Sequence, residues 1–176
     1  MENSQHRAEW IAHLEFSHQN KDELSWENID TVLPRTDKMR NMVRNGIPHS
    51  LRPAVWMRMC GALQKKNKSD TTYHEIVKAS SNDTLVTNKA IEKDLVRIMP
   101  SNKAFSSMCG TGIPRLRRIL RGIAWLFPDI GYCQGTGVIV SSLLLLLEEE
   151  DAFWLMATIV EDLLPASYYS STLLGM

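Results

Sequence analysis

Arg115-Leu116-Arg117-Arg118-Ile119-Leu120-Arg121-Gly122-Ile123-Ala124-Trp125-Leu126-Phe127 is the stretch on which the fold reading turns. Its apolar residues Leu116, Ile119, Leu120, Ile123 and Phe127 are spaced by three and four, so on a helix they form one stripe. Arg117, Arg118 and Arg121 fall mostly off that stripe, and Pro128-Asp129 ends the pattern. The same spacing appears on both sides of this stretch, and alternation at two is nearly absent. An all-α protein of eight or nine helices is predicted.

Toward the N-terminus, the spacing predicts a helix from about Leu85 to Ile98, stopped by Pro100, and then a loop rich in Ser, Asn and Gly up to Gly112. A short helix is expected over Thr71 to Ala79. Gln64 to Asp70 carries three lysines and no apolar residue, and reads as an exposed loop. Ser50 is a candidate cap with Pro53 in the first turn and Ala54 to Leu63 following. Thr36 caps Asp37 to Arg44, and Gly46 stands where a helix C-terminus wants a left-handed residue. Amphipathic stretches are expected at Glu23 to Val32, with Leu24, Trp26 and Ile29, and at Ala8 to Phe16, with Trp10, Ile11 and Leu14 on one face. Toward the C-terminus, one helix follows Gly131 and runs to about Leu147, and another spans Asp151 to Leu164, closed by Pro165.

Composition narrows the function classes. With 176 residues, 44% of them hydrophobic, the chain is expected to be one domain or a large piece of one. A chain of that size buries about two-thirds of its unfolded surface and needs no disulfide or metal staple. Its 20 basic and 20 acidic side chains cancel, which argues against nucleic acid as a partner. The cluster Arg115, Arg117, Arg118 and Arg121 lies near the acidic block Glu148 to Asp151 in sequence and reads as a polar, partly salt-bridged helix face. Three cysteines, Cys60, Cys109 and Cys133, form no CxxC pair and fit a reducing, cytoplasmic compartment. No signal peptide is expected, and the apolar run Val138 to Leu147 is about half the length of a bilayer span. His6, His13, His18, His49 and His74 have no metal-ligand spacing. GxSxG and GxxxxGK[ST] motifs are lacking, so the chain offers neither a hydrolase elbow nor a nucleotide site of its own.

Two short constellations carry chemistry. In Ile91-Glu92-Lys93-Asp94-Leu95-Val96-Arg97, Ile91 and Leu95 share a helix face, and Asp94 lies one turn before Arg97, close enough to hold its guanidinium. Pro100 leaves Arg97 near the helix end with its head free. Alone, such a pair is an ordinary solvated contact. In Ile130-Gly131-Tyr132-Cys133-Gln134-Gly135, a glycine-flanked glutamine follows a Pro-Asp turn at a helix start. A glutamine amide is neither an acid nor a nucleophile, and its catalytic use is to orient a water. Alone, this is an ordinary capping loop.

With Gly46-Ile47-Pro48, Arg52 and Trp56 placed before them, these elements follow the ordered pattern GIP-x₃-R-x₃-W, I-x₂-D-x₂-R, Y-x-Q-G over about ninety residues. The chain resembles the TBC domain, the helical GTPase-activating module for Rab GTPases, and looks closest to the small G-protein signalling modulator subgroup. The resemblance implies a multi-helical orthogonal array: residues 1–43 form a short helical extension and residues 44–176 the N-terminal part of a TBC domain. Because the family continues past a position like Gly175, the apolar Leu173, Leu174 and Met176 are expected to lie at a cut within the domain.

It further implies that Arg97 and Gln134 act as catalytic fingers lent in trans to a GTP-bound Rab partner. Asp94, Tyr132, Gly135 and Ile91 would support them: Asp94 restrains Arg97 and Tyr132 packs beneath the glutamine loop. Gly46, Ile47, Pro48, Arg52 and Trp56 would be structural, with Arg52 a buried, hydrogen-bonded arginine beside an aromatic. GTP and Mg²⁺ belong to the partner. The chain itself would need no cofactor or metal, would be recruited to membranes through partners without inserting, and would be an activator with no substrate of its own. Two departures stand out. Arg97 is followed by Ile98-Met99-Pro100 where the family usually has Thr, an aromatic and Pro, and Gln134-Gly135 is followed by Thr136 where the family often has Met. The competing expectation is a TBC-like scaffold that binds a GTPase or other protein without accelerating hydrolysis.

Overall fold

The computed structural model describes residues 3–17, 25–82, 85–165 and 168–169. Among them are nine α-helices: α1 (Ser4–Ser17), α2 (Asp37–Arg44), α3 (Arg52–Met59), α4 (Ala62–Lys68), α5 (Tyr73–Ala79), α6 (Val86–Asp94), α7 (Gly112–Leu126), α8 (Thr136–Leu144) and α9 (Glu149–Thr158). Short 3₁₀ turns cover Trp26–Asn28, His49–Leu51 and Leu95–Arg97, and a π-helical turn, Ile159–Leu163, extends α9. No strand occurs among the described residues, so the fold is all-α as the spacing predicted. Leu24, Leu173, Leu174, Gly175 and Met176 lie outside the described residues. The chain divides into two compact units, Met1–Gln64 and Lys65–Met176.

The first unit is built on Trp10 and Leu14 of α1, which are fully buried with Ile29, Leu33, Met39, Leu51 and Val55. The Thr36 hydroxyl oxygen accepts from the Met39 amide at 3.1 Å and starts α2. Gly46, at φ +102°, ends it, and the Trp10 indole donates to the Gly46 carbonyl at 3.2 Å. Pro48 leads into the 3₁₀ turn, its carbonyl accepting from the Leu51 amide at 3.0 Å, while Arg52 Nε donates to the Ile47 carbonyl at 2.9 Å. Arg52 and Trp56 are each half-buried. The deeply buried arginine of this unit is Arg58, 8% exposed, which sequence reading passed over. Its guanidinium lies 4.9 Å from the centroid of the Trp26 ring and donates to the carbonyls of Trp26, at 2.8 Å, and Ala54, at 3.3 Å.

Four expectations are corrected. Among the described residues of the expected Glu23 to Val32 helix, 25–32, only the 3₁₀ turn at Trp26–Asn28 forms, and its bend lets Arg58 reach the Trp26 carbonyl. Ser50 does not cap α3: its hydroxyl oxygen accepts from Arg7 Nε at 3.2 Å, inside the 3₁₀ turn. Gly61, at φ +87°, ends the expected Ala54–Leu63 helix early. The expected loop Gln64–Asp70 belongs largely to α4, because its lysines are anchored. Lys65 pairs with Glu161 at 2.5 Å and Asp162 at 3.0 Å, and Lys66 with Glu150 at 3.2 Å and Asp151 at 2.9 Å.

In the second unit α7 is the central helix, with α5, α6, α8 and α9 packed around it. Leu116, Ile119, Leu120 and Ile123 are buried as the stripe required. Phe127 caps the helix and is half-buried. At Gly122 a Cβ would lie 3.0 Å from the Phe153 ring and 3.3 Å from Ile76, so the missing side chain sets the close approach of α5 and α9. The α7 arginines are paired with carboxylates. Arg117 forks onto Glu92 at 2.6 and 3.0 Å, Arg121 joins the same carboxylate at 2.9 Å, and Arg118 forks onto Glu149 at 2.7 and 2.6 Å. Tyr73 also donates to Glu149, at 2.6 Å. Burial pushes the Glu149 carboxyl up, but Arg118 and Tyr73 outweigh it and hold it below the usual carboxylate range.

The difference in burial between Arg52 and Arg58 ranks the cost of removing each. Arg58→Ala removes the Trp26 stack and a charge-assisted bond to a loop carbonyl, and is expected to cost about 2–3 kcal/mol by urea denaturation; Arg52→Ala is expected to cost about 1 kcal/mol. Equal losses in the two variants would contradict this ranking.

Candidate functional site

Both chemistry-bearing segments lie in the second unit. Helix α6 runs to Asp94 and tightens into the 3₁₀ turn Leu95–Arg97. Ile91 and Leu95, both fully buried, fix which way this segment faces, and Glu92 is clamped by Arg117 and Arg121. Asp94 is left on the opposite side, its side chain 16% exposed, and Arg97 projects outward with its side chain 67% exposed.

Asp94 brings the two segments together. One carboxylate oxygen accepts from Arg97 Nη2. The other accepts from the Tyr132 hydroxyl at 3.0 Å. Burial raises the Tyr132 phenol above its ordinary value, and the hydrogen bond to Asp94 pushes the same way, so the group stays a donor throughout the neutral range. Tyr132 is therefore more than a packing residue beneath the loop: its hydroxyl joins that loop to the Arg97 turn.

The loop itself is held by its backbone. Gly131 and Gly135 sit at φ +63° and +106°, a region open to glycine. No atom lies within 4 Å of a Cβ built at Gly135, so conformation and not space demands glycine there. For this reason α8 begins at Thr136, later than the expected start after Gly131. The buried Thr136 donates through its hydroxyl to the Cys133 carbonyl at 2.8 Å, and its amide donates to the same oxygen at 3.2 Å. Between these pinned residues Gln134 is exposed.

A second contact joins the segments. A Cβ at Gly137 would lie 2.4 Å from Cδ1 and 2.9 Å from Cγ1 of Ile98, the residue that follows Arg97. Ile98 therefore rests on the bare backbone of the first turn of α8. Sequence reading gave no role to Gly137; its one signal was a glycine inside an otherwise apolar helix. The structure thus brings Ile91, Asp94, Arg97, Tyr132, Gln134 and Gly135 into two adjoining segments. Gly46, Ile47, Pro48, Arg52 and Trp56 lie in the first unit. Among the described residues no group of three or more His, Cys, Asp and Glu could hold a metal ion, and no helix is long and apolar enough to cross a membrane.

Comparison with known proteins places this geometry in context. A family model described as the Rab-GTPase-TBC domain matches residues 49–176. The chain is 60% identical over 177 residues to a Small G protein signaling modulator 3 homolog from Xenopus laevis, covering 99% of this chain and 23% of that protein. It is 59% identical over 178 residues to Small G protein signaling modulator 3 from Homo sapiens, covering 100% of this chain and 24% of that protein. The chain thus spans about a quarter of the length of these relatives. Among solved structures, the Chlamydomonas flagellar RabGAP TBC domain superposes with a TM-score of 0.73 at 32% identity, covering 93% of this chain and 53% of that one. The Ypt/Rab-GAP domain of Gyp1p shares the fold, with a TM-score of 0.65 at 20% identity over 98% of this chain and 62% of that one.

The Ile98–Gly137 contact makes a size-swap prediction. Gly137→Ala is expected to cost about 1–2 kcal/mol by overpacking, and Ile98→Val, which removes the nearest atom, to recover part of that loss in the double variant. Strict additivity in urea denaturation would show that the two residues do not press on each other. Tyr132 gives a pH signature. Its folded phenol titrates above the unfolded value of about 10, so it contributes stability that is present below that pH and declines as pH rises past it. Tyr132→Phe is expected to have a flatter alkaline stability limb than the parent chain; parallel limbs would remove the phenol from the account.

Proposed function

Because this chain belongs to the Rab-GTPase-TBC domain family, we propose that it accelerates GTP hydrolysis on a Rab-family GTPase by lending it Arg97 and Gln134. The shared Asp94 carboxylate carries this reading: it holds the arginine turn against the loop that presents the glutamine.

The chemistry asked of each group is limited. Phosphoryl transfer spreads charge over the oxygens around the cleaved bond, and a positioned guanidinium offsets it. Arg97 has five N–H donors, and its contact with Asp94 engages only Nη2, so the guanidinium can stay anchored while its remaining donors meet the partner's nucleotide. Its exposure leaves that face open to a docking surface. A lysine would supply one compact charge, without a fork that can face Asp94 and phosphate together. Gln134 offers a carbonyl oxygen and an amide from a loop whose backbone is already fixed, which suits orienting a water. GTP and its Mg²⁺ are the partner's, and this chain binds neither on its own account.

Magnitudes separate this reading from a structural one. An arginine finger is worth about 10³–10⁵ in rate, roughly 4–7 kcal/mol, whereas an exposed ion pair of the Asp94–Arg97 kind contributes less than about 1 kcal/mol. In single-turnover assays on a panel of GTP-loaded Rabs, Arg97→Ala is expected to lower the accelerated rate by about 10³-fold or more, and Gln134→Ala by about 10²–10³-fold. Arg97→Lys is expected to lose most of the acceleration, and all three variants to keep the parent's far-UV circular dichroism. Full activity in Arg97→Ala or Gln134→Ala would sink the two-finger mechanism. A Rab that binds the chain with its hydrolysis rate unchanged would favour the scaffold.

A further inference from the structure

Helix α6 bears an exposed row that the proposed chemistry does not use. Lys89 and Lys93 stand one turn apart on α6, about 6 Å along its axis, and Arg97 lies beyond the helix end in the 3₁₀ turn. Both lysines are exposed, and among the described residues neither ammonium group has an ion pair or a hydrogen bond. They rim an open cleft with Asn88, Glu92, Arg117 and Arg121. The cleft's one carboxylate, Glu92, already holds both guanidiniums. Lys89 and Lys93 therefore stand beside a carboxylate already engaged by two guanidiniums.

We propose that Lys89 and Lys93 form a docking edge that selects GTPases presenting carboxylates beside their nucleotide site; the inference rests on the finger reading of Arg97 and Gln134. A specific protein interface covers roughly 800 Å² on each partner, close to 30 Å across. Lys93, four residues before Arg97, lies within half that span of the finger, and Lys89 one turn further back, so both fall in reach of a partner docked on Arg97. An ammonium group covered without an acceptor loses its hydration for nothing, so a partner surface that is neutral or basic at this point is rejected. A carboxylate-bearing surface is instead drawn in and set in register before Arg97 meets the nucleotide. The α7 arginines cannot play this part, because they already pair with Glu92 and Glu149.

The test compares the parent chain, Arg97→Ala and the double variant Lys89→Glu/Lys93→Glu on a panel of GTP-loaded Rabs, with kcat and KM measured separately. At low ionic strength the double variant is expected to lose about tenfold or more in kcat/KM, to keep kcat within about twofold, and to lose the parent's salt dependence. Lys89→Gln/Lys93→Gln should fall between the two, and circular dichroism should be unchanged in all. Unchanged kcat/KM and an unchanged salt slope, in a chain whose Arg97→Ala variant is dead, would overturn the docking edge alone. If the parent accelerates no Rab, the finger reading falls and takes this inference with it. Sedimentation with phosphatidylcholine vesicles, with and without phosphatidylserine, is the second arm. Serine-lipid binding that vanishes in the double variant, with Rab kinetics intact, would assign the row to a membrane and overturn the proposal.

Discussion

The carboxylate of Asp94 is the constraint on which the site depends. Arg97 sits at the end of a helix and Tyr132 at the start of a glycine-bounded loop, and nothing local ties them together. One oxygen of Asp94 takes the guanidinium and the other takes the phenol, so the two segments are fixed relative to a common group. The two ends of this bridge differ in solvent access. Tyr132 is half-buried and its phenol stays protonated, which makes that end a firm anchor, whereas Arg97 is largely exposed and its contact is of the weak surface kind.

For Asp94 to face the loop, α6 must be prevented from rotating about its axis, and its other sides supply that control. Ile91 and Leu95 point into the core, Glu92 is clamped against α7 by two arginines, and Lys89 and Lys93 face solvent. At about 100° per residue these requirements leave Asp94 one direction. The arginines of α7 therefore help fix which way α6 faces. Arg117 and Arg121 hold α6, while Arg118 holds Glu149 at the start of α9. Four basic residues in seven positions, which in isolation suggest a polyanion site, are here paired with Glu92, Glu148 and Glu149.

Much of this was legible in the sequence, and the larger parts that were not share a cause. The α7 stripe, the Thr36 cap, the left-handed Gly46, and the Asp94–Arg97 spacing are local statements, and each holds. Boundaries at Gly61 and Gly135 shifted for local backbone reasons, but the larger misreadings involve groups distant in sequence. Gln64 to Asp70 looked like a loop because its lysines had no visible partner, and their partners lie at Glu150, Asp151, Glu161 and Asp162. Arg52 drew attention through its motif, but the arginine that is deeply buried is Arg58, whose acceptor and aromatic face both belong to Trp26, 32 positions away. The bond from Tyr132 to Asp94 spans 38 positions, and no periodicity could have disclosed it.

The two departures from the family pattern acquire a physical meaning once the site is seen whole. A threonine after the finger arginine would bring a hydroxyl where this chain has the aliphatic Ile98, and Ile98 fills the space above Gly137 that any side chain at that position would occupy. Thr136, where the family often carries methionine, is buried and turns its hydroxyl onto the Cys133 carbonyl, adding a bond to the loop that bears Gln134. Both changes fall on residues that set where the segments lie, and neither falls on a group proposed to reach the nucleotide. The altered residues make close contacts within the two segments that Asp94 bridges.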